Sequence, residues 1–222
     1  MRRRLVLFDI DGTLIDSRRV ILEAQARAFR SLGLPVPSDA AILATVGLSL
    51  DETFRALAGA DGPRAALAER YKSEVRDLRA DPAWGEPAYP GVEATLRALA
   101  GRADLVLGIA TGRARRGLAP LFAARGWEGL FPVTVCGDEH PSKPDPAMLR
   151  AAAAEAGVAM ADALFVGDSV HDAAMATAAA MPFVAVSWGF ERVEVLRGIG
   201  AIAALERFED VLTLVPEAGL AS

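Results

Sequence analysis

The sequence has one cysteine, Cys136, so it cannot form a disulfide within the chain. That shortage fits a reducing compartment such as the cytoplasm. The sequence also lacks an excess of positive charge, because its 24 lysines and arginines face 29 aspartates and glutamates. A protein that binds nucleic acid needs surplus basic side chains to neutralise phosphates. We therefore expect no nucleic-acid partner.

Long apolar runs are absent as well. The longest uncharged stretch, residues 173–190, is rich in alanine and contains Pro182. We interpret it as a helix followed by a strand, since a membrane-spanning helix needs about 20 strongly apolar residues. Basic residues before Leu5 imitate the opening of a signal peptide, but Asp9 and Asp11 interrupt the apolar run that such a peptide requires. We expect a soluble, cytoplasmic protein with no membrane partner.

Short, wholly apolar runs alternate with helical patterns along most of the chain. Such runs are typical of parallel strands that are buried on both faces. They predict five strands, at residues 5–8, 105–110, 133–136, 163–166 and 183–186. Strands that alternate with helices predict an α/β fold with a doubly wound parallel sheet.

One helical segment interrupts this alternation. Residues 18–81 contain no convincing strand and their apolar spacing predicts four helices, the first with Leu32 on its apolar face. Prolines at positions 82, 87 and 90 follow, as expected of a semi-rigid linker. We predict an α/β core of residues 1–17 and 82–222, with an all-helical domain of residues 18–81 inserted into it.

Acidic pairs follow two of the predicted strands. Asp9 and Asp11 come directly after the first strand, and Asp168 and Asp172 come after the fourth. Ligands of open α/β sheets bind beyond the carboxyl ends of the strands, where all four carboxylates would gather. A turn at Gly12 or a helix cap at Asp168 or Ser169 could explain single members of this set. Together they predict a site for a hard cation with oxygen ligands, which Mg²⁺ fits.

Two further segments carry groups that suit an anion. Lys143, one of only two lysines, lies in a proline-rich loop, and its compact ammonium could neutralise a carboxylate or a phosphate. Thr111 ends the second predicted strand, and its hydroxyl with the backbone N–H groups of Gly112 and Arg113, at an expected helix start, could cradle an anion. Taken singly, a loop lysine and a capping threonine explain these residues equally well.

In order and spacing, these four elements resemble the motifs of the haloacid dehalogenase-like superfamily of phosphotransferases. The first motif is matched by Asp9-Ile10-Asp11-Gly12-Thr13, the second by Thr111, the third by Lys143, and the fourth by Gly167-Asp168 with Asp172. The resemblance covers the whole chain, and the helical insertion resembles the C1 cap of that superfamily. Four further segments look like the phosphoglycolate phosphatase-like subgroup: Asp16-Ser17, Gly47-Leu48-Ser49-Leu50, Lys143-Pro144-Asp145-Pro146 and Ser187-Trp188-Gly189-Phe190.

The resemblance implies a mechanism and a role for each motif residue. Asp9 would attack phosphorus and become an aspartyl phosphate, while Asp11 would serve as the acid and then the base. Mg²⁺ would be held by Asp9, Asp168 and the backbone carbonyl of Asp11. Asp172 would help to orient these ligands without binding the ion itself. The transferring phosphoryl group would be bound by Thr111, Gly112, Arg113 and Lys143.

The substrate implied is a small phosphorylated metabolite. We expect the cap to close over it, and Arg18, Arg19 and Arg113 are candidates for binding a substrate carboxylate, because a guanidinium fork matches carboxylate geometry. A pyrophosphatase or a sugar-phosphate phosphatase would carry the same motifs. The sequence leaves open whether the protein is a monomer or a homodimer.

Other functions fit the sequence less well. A β-phosphoglucomutase-like enzyme typically has a histidine in its first cap helix, and this cap has none. A haloacid dehalogenase would not need the acidic pair at Asp168 and Asp172, and a phosphonate-cleaving relative would have to use Lys72, the only cap lysine. Outside enzymes, the chain could be a signalling module that stores an aspartyl phosphate, or an inactive partner-binding protein.

Overall fold

A computed structural model of the chain describes residues 3–215. Its sheet has six parallel strands in the order β3-β2-β1-β4-β5-β6. They are β1 (Arg4–Phe8), β2 (Leu105–Thr111), β3 (Val133–Cys136), β4 (Ala163–Gly167), β5 (Phe183–Val186) and β6 (Ala201–Leu205). The predicted doubly wound α/β fold is confirmed, and all five predicted strands are present.

Ten α-helices connect and flank the strands within the described part of the chain. The first four are α1 (Arg18–Ser31), α2 (Asp39–Leu43), α3 (Leu50–Ala58) and α4 (Arg64–Ala80). The others are α5 (Val92–Ala100), α6 (Leu118–Arg125), α7 (Ala147–Ala156), α8 (Val170–Ala179), α9 (Val193–Ile199) and α10 (Val211–Leu214). Within residues 3–215, none of these helices has the length and apolarity that crossing a bilayer requires.

The sheet is buried on both faces by side chains that alternate along each strand. In β1, Val6 and Phe8 pack with α5, whereas Leu5 and Leu7 face the opposite way and pack with α7 and α8. This burial on both faces explains why the strands are continuous apolar runs in the sequence, without alternation of apolar and polar residues.

Helices α1 to α4 have apolar contacts of their own. Phe29 and Phe54 pack together in one cluster, and Val20 of α1 packs with Leu78 of α4 in another. The apolar spacing predicted these helices, but Leu32 was wrongly placed on the buried face. It follows the last residue of α1 and is 37% exposed.

Two details of the core differ from the sequence-based expectation. Strand β6 was not predicted, because its sequence AIAAL consists mainly of alanine, which has a low β-propensity, and its one β-branched residue, Ile202, is 68% exposed. The helix start expected directly after Thr111 was also wrong. A 3₁₀ turn at Arg115–Gly117 intervenes, and α6 begins at Leu118.

Candidate active site

The register of the central strands brings the predicted motif residues to one edge of the sheet. Phe8, the last residue of β1, lies beside Ile109 of β2 and Val166 of β4. Asp9 follows immediately, and its backbone N–H donates to the carbonyl of Val166 at 2.9 Å. The ends of β1, β2 and β4 therefore present their polar residues to a common space.

Lys143 joins two of the carboxylates in that space. Its Nζ donates to Oδ1 of Asp9 at 2.9 Å and to Oδ1 of Asp172 at 2.6 Å. The Lys143 side chain is fully buried. Burial alone would lower the pKa of Lys143, but the charges of Asp172 and Asp9 hold it above its ordinary value. The lysine is therefore a fixed positive charge beside Asp9, as expected of a neutralising group.

Asp172 is held by the start of helix α8. Its Oδ2 accepts from the backbone N–H groups of Asp168 and Ser169, at 3.2 and 3.1 Å, and from the Ser169 hydroxyl at 2.7 Å. Ser169 in turn caps the helix by accepting from the Asp172 N–H. The capping explanation weighed for Ser169 is thus correct. Because Asp172 is also bound to Lys143, both of its oxygens are occupied by the protein.

Asp168 is confined on several sides. Its Oδ1 accepts from the Thr13 hydroxyl at 2.8 Å, and its Oδ2 accepts from the Phe190 N–H at 2.9 Å. Two glycines also pack against this side chain. An added Cβ at Gly12 would lie 2.2 Å from Asp168 Oδ2, and one at Gly189 would lie 2.1 Å from Asp168 Cβ. The orientation of this carboxylate is therefore fixed before any ligand binds.

The inner cluster carries more negative than positive charge. Oxygens of Asp9, Asp168 and Asp172 all lie within 4.8 Å of one another, and the side chains are buried. These three carboxylates face the single ammonium of Lys143, which leaves two negative charges if all are ionised. Burial raises the pKa of Asp9 to about 7, against the lowering effect of Lys143, and burial with its acidic neighbours raises that of Asp168 well above its usual value. A divalent cation among these oxygens would offset that charge, so the donor set fits one.

Asp11 lies apart from this cluster and is bound by an arginine. The Arg113 guanidinium grips both of its oxygens, with Nε 2.8 Å from Oδ2. Its Nη2 also donates to Oε1 of Glu86 at 3.1 Å. Burial would raise the pKa of Asp11, but the Arg113 charge lowers it to about 2. In this arrangement Asp11 is a carboxylate, which is the form that can take a proton from water.

The second predicted anion-binding segment, at Thr111, reaches the same edge. Thr111 is fully buried at the end of β2, and its Oγ1 accepts from the Arg113 N–H at 3.2 Å. Gly112 packs so closely on the 44–49 loop that a Cβ at Gly112 would lie 2.6 Å from the Gly47 carbonyl oxygen. The absence of a side chain at Gly112 therefore allows the helical segment to touch the strand end.

The 44–49 loop also contacts the 141–145 loop and the first turn of helix α8. The Ser49 N–H donates to the Ser142 hydroxyl at 2.7 Å, and Nε2 of His171 lies 2.9 Å from the Ala44 carbonyl oxygen. Beside these contacts, an open groove of about 860 Å³ reaches Lys143 between α3 and the 141–145 loop. The segment thus lies over the strand ends on which the carboxylates sit.

Two of the three arginines considered for a substrate carboxylate are directed at aromatic rings. Arg18 lies 5.1 Å from the centre of the Phe190 ring and donates to the Gly189 carbonyl, while Arg19 lies 4.0 Å from the centre of the Trp84 ring. Of the three guanidinium groups, that of Arg113 is the one that binds an acidic motif residue, Asp11.

Sequence reasoning missed three contributors to the site. Thr13 and the backbone of Phe190 hold Asp168, although both belong to segments that had been noted for their resemblance to the family. No sequence pattern indicates a role for Glu86, because it lies in the proline-rich linker, outside every motif. Folding of the chain brings it into contact with Arg113.

Comparisons with known proteins agree with this geometry. The model of the haloacid dehalogenase-like hydrolase family matches residues 6–186. A protein of Dickeya dadantii named "Probable phosphatase IndB" is 32% identical, over 94% of this chain and 91% of its own. The phosphoglycolate phosphatase of Photorhabdus laumondii is 31% identical, over 96% and 92%. A haloacid dehalogenase-like family hydrolase from Streptococcus pneumoniae, 21% identical, has the same fold, with a TM-score of 0.82 over 96% of this chain and 99% of that one.

Proposed function

The chain belongs to the haloacid dehalogenase-like hydrolase family, and from that premise we propose that it is a Mg²⁺-dependent phosphatase of small phosphate monoesters. One observation carries the proposal: buried Asp9 stands at the end of β1 beside Lys143, with the carboxylates of Asp168 and Asp172 within 4.8 Å. A nucleophilic carboxylate needs such surroundings, because it must approach a phosphate that repels it.

Asp9 is the nucleophile in this proposal. Its carboxylate oxygen bonds to phosphorus as the bond from phosphorus to the leaving oxygen breaks. Asp11 gives that oxygen a proton, which it takes up from solvent beforehand or keeps from the hydrolysis step of the previous turnover, because the carboxylate found beside Arg113 carries none. A water oxygen then bonds to phosphorus, Asp11 takes the proton of that water, and the bond to Asp9 breaks to release inorganic phosphate. The ionised Asp11 found beside Arg113 is in the form that the second step requires.

The metal site consists of Asp9, Asp168 and the backbone carbonyl of Asp11. A bound Mg²⁺ would supply charge neutralisation for the phosphoryl oxygens. Asp172 supports the site indirectly, since its oxygens already accept from Lys143 and from the turn at Ser169. Hard oxygen donors, buried and in excess over positive charge, favour a hard divalent cation.

Phosphoryl oxygens are bound by Lys143, the Thr111 hydroxyl and the backbone N–H groups of Gly112 and Arg113. Two of these groups, Thr111 and Lys143, are buried at the same sheet edge as Asp9. Charge-assisted hydrogen bonds from fixed donors stabilise the charge of the transferring group without reorganisation.

Residues 18–81 form a helical cap on a core of residues 1–17 and 82–222. The contacts of the 44–49 loop with Gly112, Ser142 and His171 support this division, because they put the helical segment over the strand ends. A cap in that position excludes water and selects the substrate. The phosphoglycolate phosphatase named above favours a small phosphorylated carboxylic acid as the substrate, and the lone Cys136 favours a cytoplasmic location.

The test is phosphate release from a panel that includes 2-phosphoglycolate and several sugar phosphates, with and without Mg²⁺. We expect Mg²⁺-dependent release that falls to background in Asp9→Asn. The exposed Asp138 offers a matched acid-to-amide control, and Asp138→Asn should keep wild-type activity. Absence of release from every ester, or full activity in Asp9→Asn, would contradict the proposal.

A further inference from the structure

Four charged side chains form a continuous path from helix α4 to Asp11. Arg79 of α4 donates to both oxygens of Glu86, with Nε–Oε2 and Nη2–Oε1 distances of 2.8 and 2.9 Å. Glu86 accepts from Nη2 of Arg113 at 3.1 Å, and Arg113 grips Asp11. The side chains of Arg113 and Glu86 are each only 7% exposed, so solvent screens their pairing little.

This path raises a geometric problem for the proposed reaction. Asp11 must bring its carboxylate to the leaving-group oxygen, yet both of its oxygens are held in the Arg113 fork. Bidentate, charge-assisted pairs of this kind are among the stronger and more directional hydrogen bonds in proteins. A buried arginine that simply lost Asp11 would be left without its partner, which is costly.

Glu86 offers the second acceptor that solves the problem. Nη2 of Arg113 is shared between Asp11 and Glu86, so the guanidinium already has a carboxylate to keep when Asp11 turns away. Glu86 cannot easily move with Asp11, because Arg79 donates to the Glu86 carboxylate and Arg125 donates to the Glu86 backbone carbonyl.

We propose that Glu86 is a positioning residue for Asp11: it retains the Arg113 guanidinium while the Asp11 carboxylate turns to the leaving-group oxygen. This inference rests on the proposed phosphatase function. Without the Glu86 carboxylate, Asp11 is the one carboxylate within residues 3–215 that the Arg113 side chain binds, and Asp11 reaches the leaving group less often.

A purely structural role for Glu86 makes a different prediction. If Glu86 only tied α4 to the core through Arg79, its loss would disturb the site for every substrate alike, and loss of Arg79 would have the same effect. If Glu86 acts through Arg113, its loss affects only reactions that need the Asp11 proton, and loss of Arg79 matters little, because Glu86 still binds Arg113.

The experiment measures release of the alcohol in the first turnover, which reports formation of the phosphorylated Asp9. An alkyl phosphate needs a proton from Asp11 on its leaving oxygen, whereas p-nitrophenyl phosphate releases a stable phenolate without one. In Glu86→Gln we expect release from the alkyl ester to slow about tenfold, a fraction of what general acid catalysis supplies. Release from the aryl ester should change by less than about twofold.

Arg79→Gln is the matched control, and it should change the ratio of alkyl to aryl rates by less than about twofold. Should Glu86→Gln fail to fold, Arg79→Gln/Glu86→Gln is compared with Arg79→Gln, since removing both groups leaves no partner of Glu86 unpaired on α4. Equal slowing of both esters, no slowing of the alkyl ester, or a slowed alkyl ester in Arg79→Gln would each overturn the inference. Failure of the wild-type protein to release either alcohol would instead overturn the phosphatase proposal.

Discussion

Replacement of Lys143 by methionine tests how much the lysine charge stabilises the buried carboxylates of Asp9 and Asp172. Methionine has nearly the length of lysine, so Lys143→Met removes the ammonium with little change in packing. The variant loses two hydrogen bonds to carboxylates, at 2.9 Å to Asp9 and 2.6 Å to Asp172. Removing one partner of a buried ion pair costs about 3–5 kcal/mol, because the other partner keeps its desolvation penalty.

The state of Asp9 places the expected loss at the lower end of that range. Burial raises the pKa of Asp9 to about 7 even beside Lys143, so without the lysine Asp9 carries a proton at neutral pH and escapes part of the penalty. We expect the free energy of unfolding to fall by about 3 kcal/mol at pH 7, which for a chain of this size lowers the melting temperature by about 6–12 °C.

The loss should depend on pH in a defined direction. A carboxyl whose pKa is higher in the folded than in the unfolded protein destabilises the fold increasingly as pH rises from about 4, the value in the unfolded chain. Lys143→Met removes the charge that lowers the pKa of Asp9, so the variant should lose more stability at pH 8 than at pH 5. The assay is urea unfolding, monitored by circular dichroism at both pH values in chelator-treated buffer.

Lys72 provides the control, since it is the other lysine of the chain and its side chain pairs with Glu69 on the surface of α4. Lys72→Met should change the free energy of unfolding by less than about 0.5 kcal/mol. A loss below about 1 kcal/mol in Lys143→Met, or a larger loss at pH 5 than at pH 8, would refute the argument about buried charge.

Two further predictions concern other parts of the core. Hydrogen bonds from Arg102 hold the pKa of Asp104 well below its usual range. Asp104→Asn should therefore cost about 1 kcal/mol at pH 7, and its difference from wild type in urea unfolding should begin to shrink as pH falls below about 4 and vanish only when Asp104 of the folded wild type is protonated as well. In Gly12→Ala, a backbone φ of +84° and a Cβ 2.2 Å from Asp168 Oδ2 should displace that carboxylate and raise the half-saturating Mg²⁺ concentration about tenfold or more. Gly33→Ala, with φ of +67° and open space around it, should leave the half-saturating Mg²⁺ concentration unchanged. An equal rise of this concentration in both variants would show that backbone strain, and not displacement of Asp168, causes the effect.

The sequence was most informative where burial is two-sided. All five predicted strands are present because parallel strands between two helical layers must be apolar throughout. At the edge of the sheet the constraint weakens, and β6 escaped detection because its exposed Ile202 and its alanines resemble neither a buried strand nor an alternating one.

The same distinction applies to the site. Asp9 and Asp168 could be placed together because each follows a strand, and strand ends meet at one edge. The partners of Asp11 could not, since the Arg113 contact joins residues 102 positions apart and depends on the side-chain direction after β2. Glu86 is linked to Asp11 through Arg113, and no local sequence pattern marks it.

The central place of β1 has a consequence for how the protein is made. Its two neighbours, β2 and β4, begin about 100 and 160 positions later in the chain. At about 5–20 residues per second of synthesis, β1 waits roughly 10–30 s after it is made before β4 exists. For roughly the first two thirds of that time, until β2 is made, the apolar Leu5–Phe8 segment has no strand to pair with. The helices of residues 18–80, in contrast, can form from local contacts. The nascent chain therefore carries an aggregation-prone segment for which chaperone protection during translation is expected to improve the yield of folded enzyme.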